Sequence, residues 1–171
     1  QWTKVNNPPL PLSKSFKFDA SKSSEMKSKI NNVGEKAIKY GKVGAVIMSG
    51  GQGTRLGFDG PKGMYNFGLL SSKSIFQIHI ERLLRISQLV NQNTTNQDNI
   101  TTNLVPVYIM TSHLNDTQIR DYFESNNYFG YDKTSIYFFQ QELKPCLSLD
   151  GKLIVENKNC ISQAPEGNGG I

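Results

Sequence analysis

The sequence predicts an α/β fold in which a mostly parallel sheet carries helices on both faces. Two observations support this prediction. Short apolar runs rich in β-branched residues alternate with segments of helical periodicity, and a glycine-rich loop directly follows the first of these runs. Such alternation is typical of parallel strands joined by helices. The predicted strands are residues 43–48, 105–110, 135–139 and 153–155.

Three helices are predicted between or before these strands, at residues 24–40, from the serines at 71–74 to about residue 90, and from Asn115 or Asp116 onward. The polar segment 111–113 ends the second strand, so it could contact a ligand, or it could form the cap of the third helix. His79 has no cysteine or carboxylate at ligand spacing and is interpreted as packed or half-exposed. Residues 1–24 are predicted to form an extended arm, and residues 91–103 a polar surface insertion.

The loop at residues 49–55 has the sequence SGGQGTR. Its glycines expose successive backbone N–H groups and allow a polyanion to approach closely. Two cations, Arg55 and Lys62, follow at short range. Together they would neutralise charge on more than one oxygen of a bound phosphate chain. The alternative without a function is that both residues are solvated on the surface.

The spacing of this loop fits neither common nucleotide template. The dinucleotide pattern G-x-G-x-x-G would need glycine where the chain has Leu56. The Walker pattern fails because Lys62 follows Pro61 and precedes Gly63, which leaves no hydroxyl for a metal ion. The loop is therefore of a different kind.

Four sequence blocks in a fixed order resemble the eukaryotic UDP-N-acetylglucosamine pyrophosphorylases. They are GGQGTRLG at residues 50–57, PKGMY at 61–65, FFQQ at 138–141 and APEGNGG at 164–170. The resemblance implies a Rossmann-like fold of the nucleotide-diphospho-sugar transferase type, truncated in this chain. It also implies two parts: an N-terminal arm with a short helix at 1–40, and the incomplete nucleotide-binding part of the catalytic domain at 41–171.

The resemblance implies a Mg²⁺-dependent nucleotidyltransferase that forms UDP-N-acetylglucosamine and pyrophosphate from UTP and N-acetylglucosamine 1-phosphate. This chain would carry the UTP-binding half and could be inactive alone, and the aspartate that binds Mg²⁺ is expected beyond residue 171. A UDP-glucose or UDP-galactose pyrophosphorylase is the nearer alternative. A nucleotide-binding module without catalysis is the further one.

The resemblance also assigns roles to individual residues. Arg55 and Lys62 are the catalytic candidates, Asn168 is the sugar-binding candidate, and no metal ligand is expected among these residues. The nucleotide-binding candidates are Met48, Ser49, Gly50, Gly51, Gln141 and Gly167. Without the resemblance, a glutamine at a strand end would be a surface residue, and the G-N-G-G turn after Glu166 would be a plain tight turn.

Several residues depart from the family pattern. Met48 and Ser49 replace the usual Leu-Ala, which is tolerable because backbone atoms do most of the binding there. Glu142 stands where many relatives carry glycine, and Glu166 replaces the usual aspartate. Each of these two carboxylates could alter the base pocket.

Composition narrows the functional classes. The net charge of +5 is spread over scattered lysines without a basic block, which argues against a nucleic-acid partner. No apolar run approaches the roughly 18 residues of a membrane span, and two isolated cysteines favour free thiols in a reducing compartment. We expect a cytoplasmic monomer, with a separate C-terminal chain as the alternative. The first residue, Gln1, suggests a fragment.

Overall fold

A computed structural model describes residues 24–92 and 104–167 of the chain. Most of the predicted N-terminal arm, the polar residues 93–103 and Asn168 lie outside these residues. The chain divides into the compact units Gln1–Gly34 and Glu35–Ile171. The boundary falls within the first helix, α1 at Ser24–Lys39. The division of the chain at residue 40 stays a prediction.

The centre of the second unit is a parallel sheet of three strands in the order β1-β2-β3. These strands are β1 at Ala45–Met48, β2 at Val107–Thr111 and β3 at Ile136–Gln140. Each lies within or next to one of the predicted apolar runs, because strands of a parallel sheet are usually buried and therefore carry apolar side chains. The α/β fold class with a parallel sheet is thereby confirmed.

Two helices pack on one face of this sheet: α2 at Ile75–Gln92 and α3 at Asp116–Ser125. Helix α2 begins after Ser74, whose hydroxyl accepts a hydrogen bond from the N–H of Gln77 (3.2 Å). The apolar residues of both helices meet the inward side chains of the strands in one core. Its most buried members are Phe76, Ile80, Val107, Ile109, Ile119 and Phe123.

The opposite face of the sheet exposes apolar side chains within the described residues. Val46 and Met48 on β1 are 48% and 55% exposed. Tyr108 and Tyr137 stack on each other across β2 and β3, with ring centroids 5.2 Å apart. The sheet therefore has one packed and one open face in this part of the chain.

The chain leaves β3 into two antiparallel ribbons. One pairs β4 (Leu143–Pro145) with β7 (Gln163–Pro165), and the other pairs β5 (Val155–Asn157) with β6 (Cys160–Ile161). The strand predicted at 153–155 thus begins only at Val155. The first ribbon brings the chain back to the end of β3. Short 3-10 helices complete the fold at Thr54–Leu56, Lys62–Met64, Asn127–Gly130 and Lys133–Ser135.

Candidate functional site

The carboxyl ends of the three parallel strands are tied together by buried polar groups. The hydroxyl of Ser49, just after β1, donates to the carbonyl of Met110 on β2 (2.8 Å). The side chain of Asn115 donates to the carbonyl of Ser49 (3.0 Å). The N–H of Gln141, just after β3, donates to the carbonyl of Thr111 (2.9 Å). These bonds fix the strand ends against one another at the edge where ligands bind in such sheets.

Gln141 is buried at this edge, with only 4% of the residue exposed. Its Oε1 accepts a hydrogen bond from the N–H of Gly167 (3.1 Å). Its Nε2 occupies the space in which a Cβ on Gly50 would stand, only 2.2 Å from that position. The bond from Gly167 therefore fixes which end of the amide is the acceptor and which is the donor.

A cavity of about 270 Å³ opens beside this amide. It is lined by Met48, Gly50, Gly51, Met110, Gln141, Pro165 and Gly167. Five of the six residues predicted to bind the nucleotide thus come together. The exception is Ser49, whose side chain is buried and bonded to the sheet. Met110 and Pro165 were missed, although one ends a predicted strand and the other lies in the block at 164–170.

The glycine-rich loop folds back on itself after β1. The N–H of Gly53 donates to the carbonyl of Gly60 (2.8 Å), and the N–H of Lys62 donates to the carbonyl of Gly51 (3.2 Å). Gly53 allows this fold because a Cβ there would lie 2.8 Å from the ring of Phe58. The return limb places Lys62 beside Gly51, so residues that are eleven apart in number are neighbours in space.

A second cavity of about 260 Å³ lies on the Lys62 side of the loop. It is lined by Ile47, Met48, Ser49, Gly51, Lys62, Gly63, Ile75, Phe76 and His79. The two cavities share Met48 and Gly51. His79 is exposed, and its place in this lining was missed because no pattern in the sequence relates it to Lys62. A ligand that crosses Gly51 would pass from one cavity to the other.

Arg55 lies in the 3-10 helix Thr54–Leu56 and is exposed. Neither of the two cavities includes Arg55 in its lining. Of the two predicted cations, Lys62 lines a cavity together with predicted nucleotide-binding residues. Asn168 lies outside the described residues. The roles assigned to Arg55, Lys62, Asn168 and the nucleotide-binding candidates stay predictions.

The polar residues from Thr111, the last residue of β2, to Asp116 form the turn into α3. The N–H of Ser112 donates to Oδ1 of Asn115 (2.8 Å), which is the residue just before α3. The hydroxyl of Thr111 donates to Asp116 (2.6 Å), and Nε of Arg120 donates to the other oxygen (2.8 Å). Burial raises the pKa of Asp116, but the bonds from Arg120, Thr111 and Gln140 outweigh it, so this pKa is below its usual range.

The described residues supply little that would hold a metal ion. Within residues 24–92 and 104–167, no group of three or more His, Cys, Asp or Glu side chains has a ligand arrangement. The residues around the two cavities do not fit a metal site of their own. Within the same ranges, no helix combines the length and apolarity of a membrane span.

Similar proteins carry related sequences over most of this chain. UDP-N-acetylglucosamine diphosphorylase 1 of Arabidopsis thaliana is 47% identical over 81% of the chain and 27% of its own length. UDP-N-acetylglucosamine pyrophosphorylase of Saccharomyces cerevisiae is 41% identical over 81% of the chain and 28% of its own length. The crystal structure of the Trypanosoma brucei uridine diphosphate N-acetylglucosamine pyrophosphorylase superposes with a TM-score of 0.76 at 37% identity, covering 86% of the chain and 29% of that structure.

The chain thus spans less than a third of the length of these relatives. A family model described as UTP–glucose-1-phosphate uridylyltransferase matches residues 6–171. The resemblance carried by the four sequence blocks is confirmed by these matches. The chain belongs to the UTP–glucose-1-phosphate uridylyltransferase family.

Proposed function

We propose that this chain carries the UTP-binding half of a uridylyltransferase that forms UDP-N-acetylglucosamine. In the proposed reaction, a phosphate oxygen of N-acetylglucosamine 1-phosphate attacks the α-phosphorus of UTP. The bond from this phosphorus to the oxygen of the β-phosphate breaks, and pyrophosphate leaves. The names of the relatives support the sugar, and the cavity beside Gln141 supports the nucleotide.

The fixed amide of Gln141 is the observation that carries this proposal. Its Oε1 is held by the N–H of Gly167, so the Nε2 group keeps the role of donor. Uracil presents a carbonyl acceptor at O4, where cytosine presents an amino donor. A donor in a fixed place therefore favours uracil. Cytosine would leave this buried donor without an acceptor, which costs binding free energy.

The phosphates of the proposed ligand would follow the loop from Gly50 to Lys62. A Cβ on Gly51 would meet no atom within 4 Å, so the space above this residue is open to a ligand. Lys62 lies beside Gly51 and lines the next cavity, where its ammonium group would neutralise the oxygens of the α-phosphate. Arg55 is proposed to stabilise the β- and γ-phosphates as charge grows on the leaving group.

The proposal includes Mg²⁺ and a cytoplasmic location. Mg²⁺ prefers phosphate and carboxylate oxygens, and UTP itself offers the first of these. None of the steps assigned to Gln141, Lys62 or Arg55 depends on a metal held by the described residues.

The two cysteines, Cys146 and Cys160, are free, which suits a reducing compartment. The proposed substrates are small molecules, and neither nucleic acid nor a membrane takes part.

A second candidate differs only in the sugar. The description of the matching family model names glucose 1-phosphate, which favours UDP-glucose formation. Asn168, the residue expected near the sugar, lies outside the described residues. A panel of sugar 1-phosphates separates the candidates, because the proposed enzyme would turn over N-acetylglucosamine 1-phosphate faster than glucose 1-phosphate.

Calorimetric titration of the chain with UTP, CTP and ATP at fixed Mg²⁺ and salt tests the nucleotide. We expect UTP to bind most tightly. We expect Gln141→Ala to weaken UTP binding about tenfold or more, because it removes a buried donor and leaves the Gly167 N–H unpaired. Gln88→Ala, which removes an exposed glutamine from α2, is the matched control and should bind like the unmodified chain.

Two results would contradict the proposal. Equal affinity for UTP and CTP, or a Gln141→Ala chain that keeps its preference for UTP, would show that this amide does not read the base. The absence of binding to all three nucleotides would show that this chain does not hold the UTP-binding half.

A further inference from the structure

A lysine bridges two carboxylates beside the cavity at Gln141. Nζ of Lys144 lies 3.4 Å from Oε1 of Glu166 and 3.5 Å from Oε2 of Glu142. Glu142 directly follows Gln141, and Glu166 directly precedes Gly167. The two carboxylates that depart from the family pattern therefore meet at one cation.

The bridge joins β4 to the end of β7, the strand that supplies Pro165 to the wall of the cavity. Lys144 on β4 stands opposite Ala164 on β7, and the N–H of Glu166 donates to the carbonyl of Glu142 (2.9 Å). Strand β7 leads through Glu166 into Gly167, whose N–H donates to the amide oxygen of Gln141. The shape of the cavity thus depends on where the end of β7 lies relative to the end of β3.

The charges explain why a cation is needed at this place. Glu142 lies just before β4 and Glu166 just after β7, and without Lys144 their like charges would repel each other across the end of the ribbon. The charge of Glu166 and then its hydrogen bond, followed by Glu142, raise the pKa of the Lys144 ammonium group. The side chain of Glu166 is 24% exposed, whereas that of Glu142 is 77% exposed, so the bond across the strands is the better shielded of the two.

We propose that Lys144 is a positioning residue of the nucleotide pocket. By pairing with Glu166 across the ribbon, it holds Pro165 and Gly167 at the distance from Gln141 that the base requires. This inference rests on the proposed function, because it takes the cavity to be the site of the uridine. Lys144 itself does not line that cavity and acts through Gly167 and Gln141.

Calorimetric titrations with uridine, UTP and pyrophosphate test the inference. We expect Lys144→Met to weaken uridine and UTP binding by the same factor, about two- to fivefold, which is the range for an exposed ion pair. Pyrophosphate binding should not change, because pyrophosphate has no base. Lys144→Arg should restore both affinities. Lys152→Met, which removes another exposed lysine of the same ribbon region, is the control and should have no effect.

Exchange of the Gly167 amide proton, followed by NMR, gives a second reading without any ligand. We expect faster exchange in Lys144→Met than in the unmodified chain, and recovery in Lys144→Arg, because this proton is held by Gln141 only while β7 is in place. A chain that binds neither uridine nor UTP would contradict the proposed function and leave this measurement to decide the role of Lys144.

Three results would overturn the inference. Lys144→Met could bind and exchange like the unmodified chain. It could lose affinity for UTP but not for uridine, which would indicate an effect of charge on the phosphates alone. Finally, Lys152→Met could cause the same loss, which would indicate a general effect of net charge.

Discussion

Three glycines of the loop region serve three different purposes. Gly50 leaves room for the amide of Gln141, and Gly63 leaves room for the ring of Phe76. Gly51 faces open space, which suits a residue that a ligand approaches. The sequence predicts that this loop needs glycine, but it could not distinguish these purposes, because Gln141 and Phe76, the neighbours of Gly50 and Gly63, come from other parts of the chain.

Substitution of Gly63 and Gly51 tests which of these glycines is needed for packing. A Cβ on Gly63 would lie 2.2 Å from Cζ of the buried Phe76, so we expect Gly63→Ala to lower the free energy of unfolding by about 1–3 kcal/mol. Gly51→Ala should leave it unchanged or slightly raised. Urea denaturation of both variants makes the comparison. Equal stabilities would contradict the tight contact at Phe76.

Among single residues, Gln141 and Gly167 illustrate what the sequence alone could supply. Without the family resemblance, Gln141 would be interpreted as a surface residue and Gly167 as part of a tight turn. Only the order of the four sequence blocks identifies them as site residues. Their contact joins positions 26 residues apart, which no local periodicity predicts. The family resemblance therefore identified these two residues as candidates. The structure shows the hydrogen bond that gives the amide of Gln141 one orientation.

At the scale of elements, strands and helices followed the apolar patterns closely, and the ribbon after β3 did not. The run at 153–155 was predicted as a strand because it is apolar, yet Leu153, Ile154 and Val155 are all exposed. Hydrophobic patterns predict strands through burial, so they are least reliable where apolar residues stay on the surface. The return limb of the loop was likewise not predicted, because it depends on bonds between backbone groups.

The junction of β2 and α3 should respond to acid. Hydrogen bonds from Arg120 and Thr111 lower the pKa of Asp116 in the folded chain. Its contribution to stability is therefore present above the unfolded pKa of about 3.9 and is lost as the pH falls through the lower, folded value. We expect Asp116→Asn to lower the free energy of unfolding by about 1–2 kcal/mol at pH 7 and to flatten its loss below pH 4.

Urea denaturation between pH 7 and pH 3 measures this dependence. Asp121→Asn, which changes an exposed carboxylate on the same helix, is the matched control and should keep the acid dependence of the unmodified chain. An Asp116→Asn chain with an unchanged pH profile would show that this carboxylate does not secure the junction.

At the scale of the whole molecule, we expect side chains on the two faces of the sheet to contribute differently to the free energy of unfolding. Ile109 on the packed face is fully buried, whereas Val46 on the open face is 48% exposed. We expect Ile109→Ala to lower the free energy of unfolding by about 2–5 kcal/mol, because it leaves a cavity under both helices. Val46→Ala should cost clearly less. Similar losses in urea denaturation would contradict the open face.

The fold class was accessible to sequence analysis because alternating strands and helices leave few ways to build a sheet. Those rules predict the parallel pairing, whereas the strand order β1-β2-β3 comes from the structure. The open face did not follow from the sequence, since Val46, Met48, Tyr108 and Tyr137 all have the character of buried residues. An apolar strand indicates that a face can be covered, but not whether the same stretch of chain covers it.

The bonds that assemble the strand ends also bear on how fast the site can form. The bond from Ser49 to Met110 joins residues 61 positions apart, and the bond from Asn115 to Ser49 spans 66. Contacts of such long range form only after large loops have closed, and proteins rich in them fold slowly. We therefore expect the cavity at Gln141 to form late in folding. A bound nucleotide would report that folding of this sheet is complete.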